Sequence, residues 1–188
     1  MKYITGVGSR ETPVDIIPVI REILGVLPPN EWILRSGAAN GADSYFEHEA
    51  NKLGIHTAIF LPWRGFNGHN SSYSFVGDAA LHMASTIHPA WDKLSQAGQK
   101  LHGRNCYQVL GRELNTPSSL VICWTPNGKD TGGTRTAIIL ARQHNIPVFN
   151  LASCKAKDVI DWIKRDAALD ELASLGQEMG DYSETKET

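Results

Sequence analysis

The chain has 188 residues, a length that suits one domain with a proper hydrophobic core. Hydrophobic residues make up 41% of it and charged residues 20%, as in ordinary soluble proteins, and no apolar stretch is long enough to span a membrane. The three cysteines lack CxxC spacing and no histidine pairs with one at ligand spacing, so we predict neither a disulfide framework nor a metal site. With no basic and then apolar leader at the N-terminus, these features favour the cytoplasm.

The net charge of −2 is unevenly distributed along the chain. Residues 166–188 contain seven acidic residues and one lysine, a net charge of −6, so residues 1–165 carry +4. A mildly cationic body suits anionic ligands, but +4 is too weak to indicate nucleic acid by itself. We predict a single domain over residues 1–165. The acidic tail, 166–188, is predicted to contain a short helix near Asp166–Leu175 and to be partly disordered.

Strands and helices are predicted to alternate along the chain. Residues 2–10 predict a first strand that runs straight into a glycine turn, and apolar runs rich in branched residues predict further strands at 32–34, 56–62, 119–124 and 147–151. The first helix is predicted to begin with Thr12 as its N-cap and Pro13 at its first helical position, and Gly54 to cap the second. Residues 63–118 interrupt this alternation of strands and helices, and we predict that they form an insertion of helices and loops. Within them, Gly103-Arg104-Asn105 is predicted to lead into a helix.

Turns of small residues follow the first, second and fourth predicted strands, at residues 6–10, 37–43 and 128–134. Because the carboxyl ends of parallel strands lie at one edge of a sheet, we expect these turns to converge on one crevice. The helix after the last turn would aim unpaired N–H groups at it, an arrangement that holds a phosphate or another anion. The alternative is a set of tight turns that bind nothing.

Several polar residues in or beside these turns are candidates for anion binding. Arg10, and Arg104 at the predicted helix start, are the best partners for a phosphate or carboxylate, because guanidinium makes forked hydrogen bonds. The alternative for each is an exposed arginine with a weak ion pair. The hydroxyls of Ser9, Ser36 and Thr134 can donate to the same anion, or serve only as helix caps.

Two acidic residues are candidates for chemistry on a ligand. Asp43 and Glu47 are four residues apart and share a helix face. Asp43 can accept a ligand hydroxyl, ribose being the obvious case, or act as a base; alternatively it only starts the helix favourably. The sequence contains no nucleophile elbow and no complete P-loop or dinucleotide fingerprint, so we expect no cofactor.

Four motifs occur in a recognisable order: Gly6-Val7-Gly8-Ser9-Arg10, Ser36-Gly37-Ala38-Ala39-Asn40-Gly41-Ala42-Asp43, Gly103-Arg104-Asn105 and Gly132-Gly133-Thr134. In order and spacing they resemble the SLOG superfamily, which unites the Lonely Guy phosphoribohydrolases with DNA-processing protein A (DprA), and within it the YspA/DprA-like branch. The resemblance covers about residues 2–151. It implies an α/β, Rossmann-like three-layer sandwich with a mostly parallel sheet and a bound nucleotide or nucleotide derivative. The ligand-binding residues it implies are Gly8, Ser9, Arg10, Ser36, Gly37, Asp43, Arg104, Asn105, Gly132, Gly133 and Thr134.

The same resemblance leaves the activity open. Lonely Guy enzymes carry a glutamate shortly after the glycine-threonine pair for cleaving an N-glycosidic bond, and the corresponding residue here is Ala137. A hydrolase would need another acid, with Asp43 or Glu47 as candidates. DprA proteins bind single-stranded DNA with a basic surface, whereas this chain has a modest charge. We predict a nucleotide-binding protein, with N-glycosidic hydrolysis, DprA-like single-stranded DNA binding in recombination, and non-catalytic ligand sequestering or sensing as alternatives. A second copy of the chain, in a homodimer, is a further possible partner.

Overall fold

The computed structural model describes residues 1–184, with side chains described up to residue 175. This part of the chain forms one open sheet of five parallel strands and six α-helices. The strands are β1 (Lys2–Gly8), β2 (Trp32–Ser36), β3 (His56–Ile59), β4 (Leu120–Trp124) and β5 (Val148–Asn150). The helices are α1 (Ile16–Leu24), α2 (Ala42–Lys52), α3 (Asp78–Ile87), α4 (Gln96–Leu110), α5 (Thr134–Gln143) and α6 (Ala156–Glu184). The predicted Rossmann-like α/β sandwich is confirmed.

The order of the strands places a topological switch point in the middle of the sheet. The order is β3-β2-β1-β4-β5, so the chain builds outwards from β1 on one side and then crosses back to begin the other side at β4. The neighbouring strands β1 and β4 pair in parallel up to Gly8, which lies opposite Trp124. Open α/β sheets bind ligands beyond the carboxyl ends of the two strands that flank such a point.

Both faces of the sheet are covered by helices, which explains the nearly continuous apolar strands. Alternate residues of a strand point to opposite faces, so Ile4 and Ile122 pack with α1, α2 and α6. Val7 and Cys123 pack on the other face with α3, α4 and α5. All four side chains are buried. The sheet is therefore the central layer of the three, as expected for a parallel sheet.

The segment 63–118 supplies helices to one of these layers. It contains α3 and α4, which pack against α5 and the sheet in the crossover from β3 to β4. The prediction that Gly103-Arg104-Asn105 leads into a helix was wrong, because α4 begins at Gln96, seven residues before Gly103. There Ser95 is the N-cap, and its side chain accepts a hydrogen bond from the Gly98 N–H at 3.2 Å. Arg104 therefore lies in the middle of a helix that faces the core.

Two predicted helix boundaries also differ from the structure. α1 begins at Ile16 rather than at Pro13, because the Thr12 hydroxyl closes the preceding turn by donating to the Ser9 carbonyl at 2.6 Å. The C-terminal helix α6 begins at Ala156, not near Asp166, because residues 159, 160 and 163 pack into the core. The predicted helix ends near Leu175, whereas α6 continues to Glu184; the last part of the tail predicted to be disordered, 185–188, lies outside the described residues. Within residues 1–184, no helix combines the length and the apolar character needed to cross a membrane.

Candidate functional site

A cavity of about 490 Å³ lies beyond the carboxyl ends of β1 and β4. Residues 7–11, which end β1 and turn towards α1, line one wall, and residues 131–134, which lead into α5, line another. Residues of α4 line a third side of the cavity. Pockets of 300–1,000 Å³ are typical of small-molecule sites. The switch point of the sheet thus carries a cavity of ligand size, built from turns that the sequence predicts to converge.

The turn after β1 packs tightly against the start of α2. A Cβ atom on Gly8 would lie 2.5 Å from the Cβ of Ala42 and 2.6 Å from the carbonyl oxygen of Trp124. The Ser9 carbonyl accepts hydrogen bonds from the N–H groups of Thr12 and Ala42, each at 3.3 Å. Glycine at position 8 therefore lets three segments meet at the floor of the cavity.

The N-terminus of α5 presents backbone N–H groups to the cavity. Gly132, Gly133 and Thr134 all line it, and within residues 1–184 no backbone carbonyl accepts a hydrogen bond from their N–H groups. The Asn105 side chain donates to the Gly133 carbonyl at 2.6 Å, which fixes this loop to α4. Free N–H groups at the positive end of a helix dipole form a binding site for an anion.

A buried ion pair connects α2 with α4 beneath the cavity. The guanidinium Nη1 of Arg104 lies 3.3 Å from Oδ2 of Asp43, and both side chains are about 95% buried. The same nitrogen donates to the carbonyl oxygens of Gly37 and Phe60. A Cβ atom on Gly37 would overlap the Arg104 guanidinium, so glycine is required there to admit the arginine.

The carboxylate of Asp43 is occupied by groups of the chain itself. Its Oδ1 accepts from the Gly8 N–H at 3.2 Å, and its Oδ2 from Arg104 and from the Gln108 amide at 3.4 Å. Burial raises the pKa of Asp43, while the charge of Arg104 opposes the rise. Among the described residues, Nε of Arg104 and Oε1 of Gln108 are buried without a hydrogen-bond partner. Asp43 thus holds the β1 turn, α2 and α4 together.

His102 is a wall residue that the sequence analysis did not select. Its Nδ1 lies 2.6 Å from the Thr136 hydroxyl, and its ring centroid lies 4.5 Å from that of His88. Burial lowers the pKa of His102 to about 4, so the imidazole is neutral at pH 7. The interaction ties α4 to α5 without adding charge to the cavity. No sequence spacing indicates it, because the two partners lie on different helices.

The structure brings most of the predicted binding residues together. The cavity is lined by Gly8, Ser9, Arg10, Asp43, Arg104, Asn105, Gly132, Gly133 and Thr134. It is also lined by Glu11, an exposed carboxylate that the sequence analysis passed over although it directly follows Arg10.

Four residues discussed from the sequence lie elsewhere. Ser36 is fully buried, and its hydroxyl donates to the Gly6 carbonyl at 2.8 Å. Gly37 contacts Arg104 and is absent from the cavity lining. Glu47 is also absent from the lining, and its Oε2 lies 3.3 Å from Nε2 of His69. Ala137 is fully buried in the core between α5 and the sheet.

The fold and the cavity define an open α/β protein with a ligand-sized crevice at its switch point. This fold is similar to that of DNA processing protein A (DprA) from Streptococcus pneumoniae, with a TM-score of 0.51 and 21% sequence identity. The match covers 79% of this chain and 49% of that chain, so the present chain spans about half the length of DprA. At this identity the similarity concerns the fold.

A second solved structure is similar at a lower level. It is the molybdenum cofactor carrier protein of Chlamydomonas reinhardtii, with a TM-score of 0.42, 15% identity, and coverage of 89% of this chain and 99% of that one. No protein-family profile matches the sequence, and no curated protein is detectably similar to it.

Proposed function

We propose that this protein is a DprA-like member of the SLOG superfamily that binds a nucleotide or nucleotide derivative in the crevice. The observation that carries the proposal is the N-terminus of α5, where three residues whose N–H groups have no backbone acceptor within residues 1–184 line a cavity of about 490 Å³. The fold similarity to DprA agrees with this class of protein and does not define its ligand.

The phosphate of the ligand would lie at the N-terminus of α5. The N–H groups of Gly132, Gly133 and Thr134 supply directed donors, and the Thr134 hydroxyl lies in the same wall. Arg10 faces the cavity from the β1 turn and is exposed, whereas the Arg104 guanidinium is committed to Asp43 and to two carbonyl groups. Arg10 is therefore the arginine best placed for a forked, charge-assisted bond to phosphate.

The arrangement of acids favours binding over N-glycosidic hydrolysis. Asp43 is 3% exposed and already accepts three hydrogen bonds from the chain. Glu47 lies outside the cavity lining, and Ala137 is buried in the core. A general base must reach the water it activates, and neither Asp43 nor Glu47 is free to do so in this arrangement. We therefore propose a stoichiometric role, in which the protein sequesters or senses its ligand.

Native mass spectrometry of the purified protein against a panel of nucleotides tests this proposal. We expect one nucleotide to be retained intact, with no free base released on incubation. Replacement of Arg10 by alanine should weaken binding about 10- to 100-fold, the value of a hydrogen bond to a charged group. The matched control is Arg112→Ala, since Arg112 is exposed and lies outside the cavity lining. Equal affinities for Arg10→Ala and the wild type would remove Arg10 from the proposed phosphate site.

The dependence of affinity on salt separates this proposal from single-stranded DNA binding. A nucleotide held by one cation gives a shallow decrease in affinity with salt, whereas a strand that contacts several cations gives a steep one. Fluorescence titrations with a labelled mononucleotide and a labelled oligonucleotide at several salt concentrations make the comparison. Tighter, strongly salt-dependent binding of the oligonucleotide would replace the proposal with the DNA-binding alternative.

A further inference from the structure

The geometry points to Glu11 as the residue that recognises the sugar of the ligand, and to a ribonucleotide, with its vicinal 2′- and 3′-hydroxyls, as the ligand class. This inference rests on the proposed nucleotide-binding function. It moves the sugar contact from Asp43, where the sequence places it, to a neighbouring turn.

Asp43 is poorly suited to the sugar because its oxygens already have partners. The Gly8 N–H, the Arg104 guanidinium and the Gln108 amide donate to the two carboxylate oxygens. The residue is 3% exposed, and a hydroxyl group would have to displace one of these donors to bind it. Loss of the Arg104 bond in particular would leave a buried charge without its partner, which is strongly unfavourable.

Glu11 has the free acceptor atoms that Asp43 lacks. It is exposed and lines the same cavity, and among the residues whose side chains are described, 1–175, its carboxylate has no ion-pair or hydrogen-bond partner. A carboxylate accepts hydrogen bonds from adjacent hydroxyl groups, which is how acidic residues hold the ribose of dinucleotides in related α/β folds. The described cavity lining contains two carboxylates, those of Asp43 and Glu11, and the carboxylate of Glu11 is the one with free acceptor atoms.

The turn that carries Glu11 is fixed by several hydrogen bonds. The Glu11 N–H donates to the Ser9 side chain at 3.1 Å, and the Thr12 hydroxyl donates to the Ser9 carbonyl at 2.6 Å. The Ala42 N–H donates to that same carbonyl at 3.3 Å, which ties the turn to the start of α2. A carboxylate on a fixed backbone loses less entropy on binding than one on a mobile loop.

The opposite charges of Arg10 and Glu11 would orient the ligand. They are adjacent in sequence and both line the cavity, so a phosphate is attracted to the arginine and to the N-terminus of α5, and repelled by the carboxylate. Neutral hydroxyl groups bind well at the carboxylate. The same repulsion opposes a polymer with a phosphate at every residue, and the requirement for a 2′-hydroxyl opposes DNA.

Isothermal titration of the four ribonucleoside 5′-monophosphates and their 2′-deoxy counterparts tests the inference. The wild type should bind its preferred ribonucleotide about tenfold or more tightly than the deoxy form, the effect of one hydrogen bond to a charged acceptor. In Glu11→Ala the two affinities should become equal, while competition by inorganic phosphate stays unchanged or strengthens. Glu22→Ala is the matched control, since Glu22 is exposed on α1 and does not line the cavity.

The outcomes separate the two proposals. A wild type that binds a nucleotide with equal affinity for the ribo and deoxy forms would overturn the role of Glu11 and leave the proposed function intact. A ribonucleotide preference that persists in Glu11→Ala would do the same. A wild type that binds no nucleotide of the panel would overturn both. Thermal melting of the variants beside the wild type confirms that each affinity is measured on folded protein.

Discussion

Replacement of Arg104 by methionine should destabilise the protein strongly at neutral pH and less in acid. Methionine fills much of the space of the arginine stem but removes the nitrogen that bonds Asp43 and the carbonyl groups of Gly37 and Phe60. Asp43, 3% exposed, is then left as a buried carboxylate without a counter-charge. Removal of one partner of a buried ion pair costs about 3–5 kcal/mol in the free energy of unfolding.

The sign of the pH dependence follows from the pKa of Asp43. Burial raises this pKa even beside Arg104, and loss of the arginine raises it further in the folded variant. Below the pKa that Asp43 has in the unfolded chain, Asp43 is protonated in both the folded and the unfolded state, and no buried charge destabilises the variant. As the pH rises through the folded pKa, the unfolded chain releases the proton more readily, so the stability of the variant falls.

Urea unfolding of the wild type, Arg104→Met and the double variant Asp43→Asn/Arg104→Met, at pH 4.5 and pH 8, measures this effect. We expect the stability difference between Arg104→Met and the wild type to be larger at pH 8. The double variant lacks the buried charge, so it should be about 1–3 kcal/mol more stable than Arg104→Met at pH 8. Equal destabilisation at both pH values, with no gain in the double variant, would show that Asp43 and Arg104 are not coupled as the structure indicates.

Two further predictions concern the same crevice. Gly8→Ala should lower the free energy of unfolding by about 1–3 kcal/mol, because the new Cβ would lie 2.5 Å from the Cβ of Ala42. Gly133→Ala should change it by less than about 0.5 kcal/mol, because no atom lies within 4 Å of a Cβ at that position. Similar melting temperatures for both variants would contradict this packing. His102 has its pKa lowered from 6.5 to about 4, so the folded protein binds fewer protons than the unfolded chain in this window, and stability should fall as the pH falls from 6.5 to 4. An NMR titration of the imidazole that gives a pKa near 6.5 would refute the burial assigned to it.

The sheet and its turns could be predicted because local patterns determine them. Strands buried on both faces are nearly continuous apolar runs, and the segment 120–124 has this pattern in the sequence and in the structure. Small residues mark the turns that follow β1, β2 and β4. The convergence of these turns needed one assumption beyond the local patterns, namely that the strands are parallel, and the structure confirms it.

The partners of the buried polar residues could not be predicted in the same way. Asp43 and Arg104 are 61 residues apart, and no pattern in either segment indicates that one faces the other. The motif Gly103-Arg104-Asn105 was predicted to lead into a helix, but Ser95 caps α4 about two turns earlier. Gly37 likewise lies in a glycine turn of the type that holds a ligand, yet its lack of a side chain serves to admit Arg104.

Different physical reasons account for the glycines of the crevice, and this difference supports the proposed site. At Gly8 and Gly37 a side chain would collide with atoms of the protein itself, so packing alone requires glycine. Gly132 has a φ of +63°, and this left-handed backbone conformation explains why the residue is glycine. Gly133 has neither reason, since its φ is −61° and a Cβ atom there would meet nothing within 4 Å. Gly133 is the N-cap of α5, a position that glycine occupies favourably, and the lack of a side chain there also leaves room for a molecule to approach the N–H groups proposed to hold the phosphate. Gly133→Ala is therefore a direct test of that approach: it should preserve the fold and weaken the binding of a nucleotide.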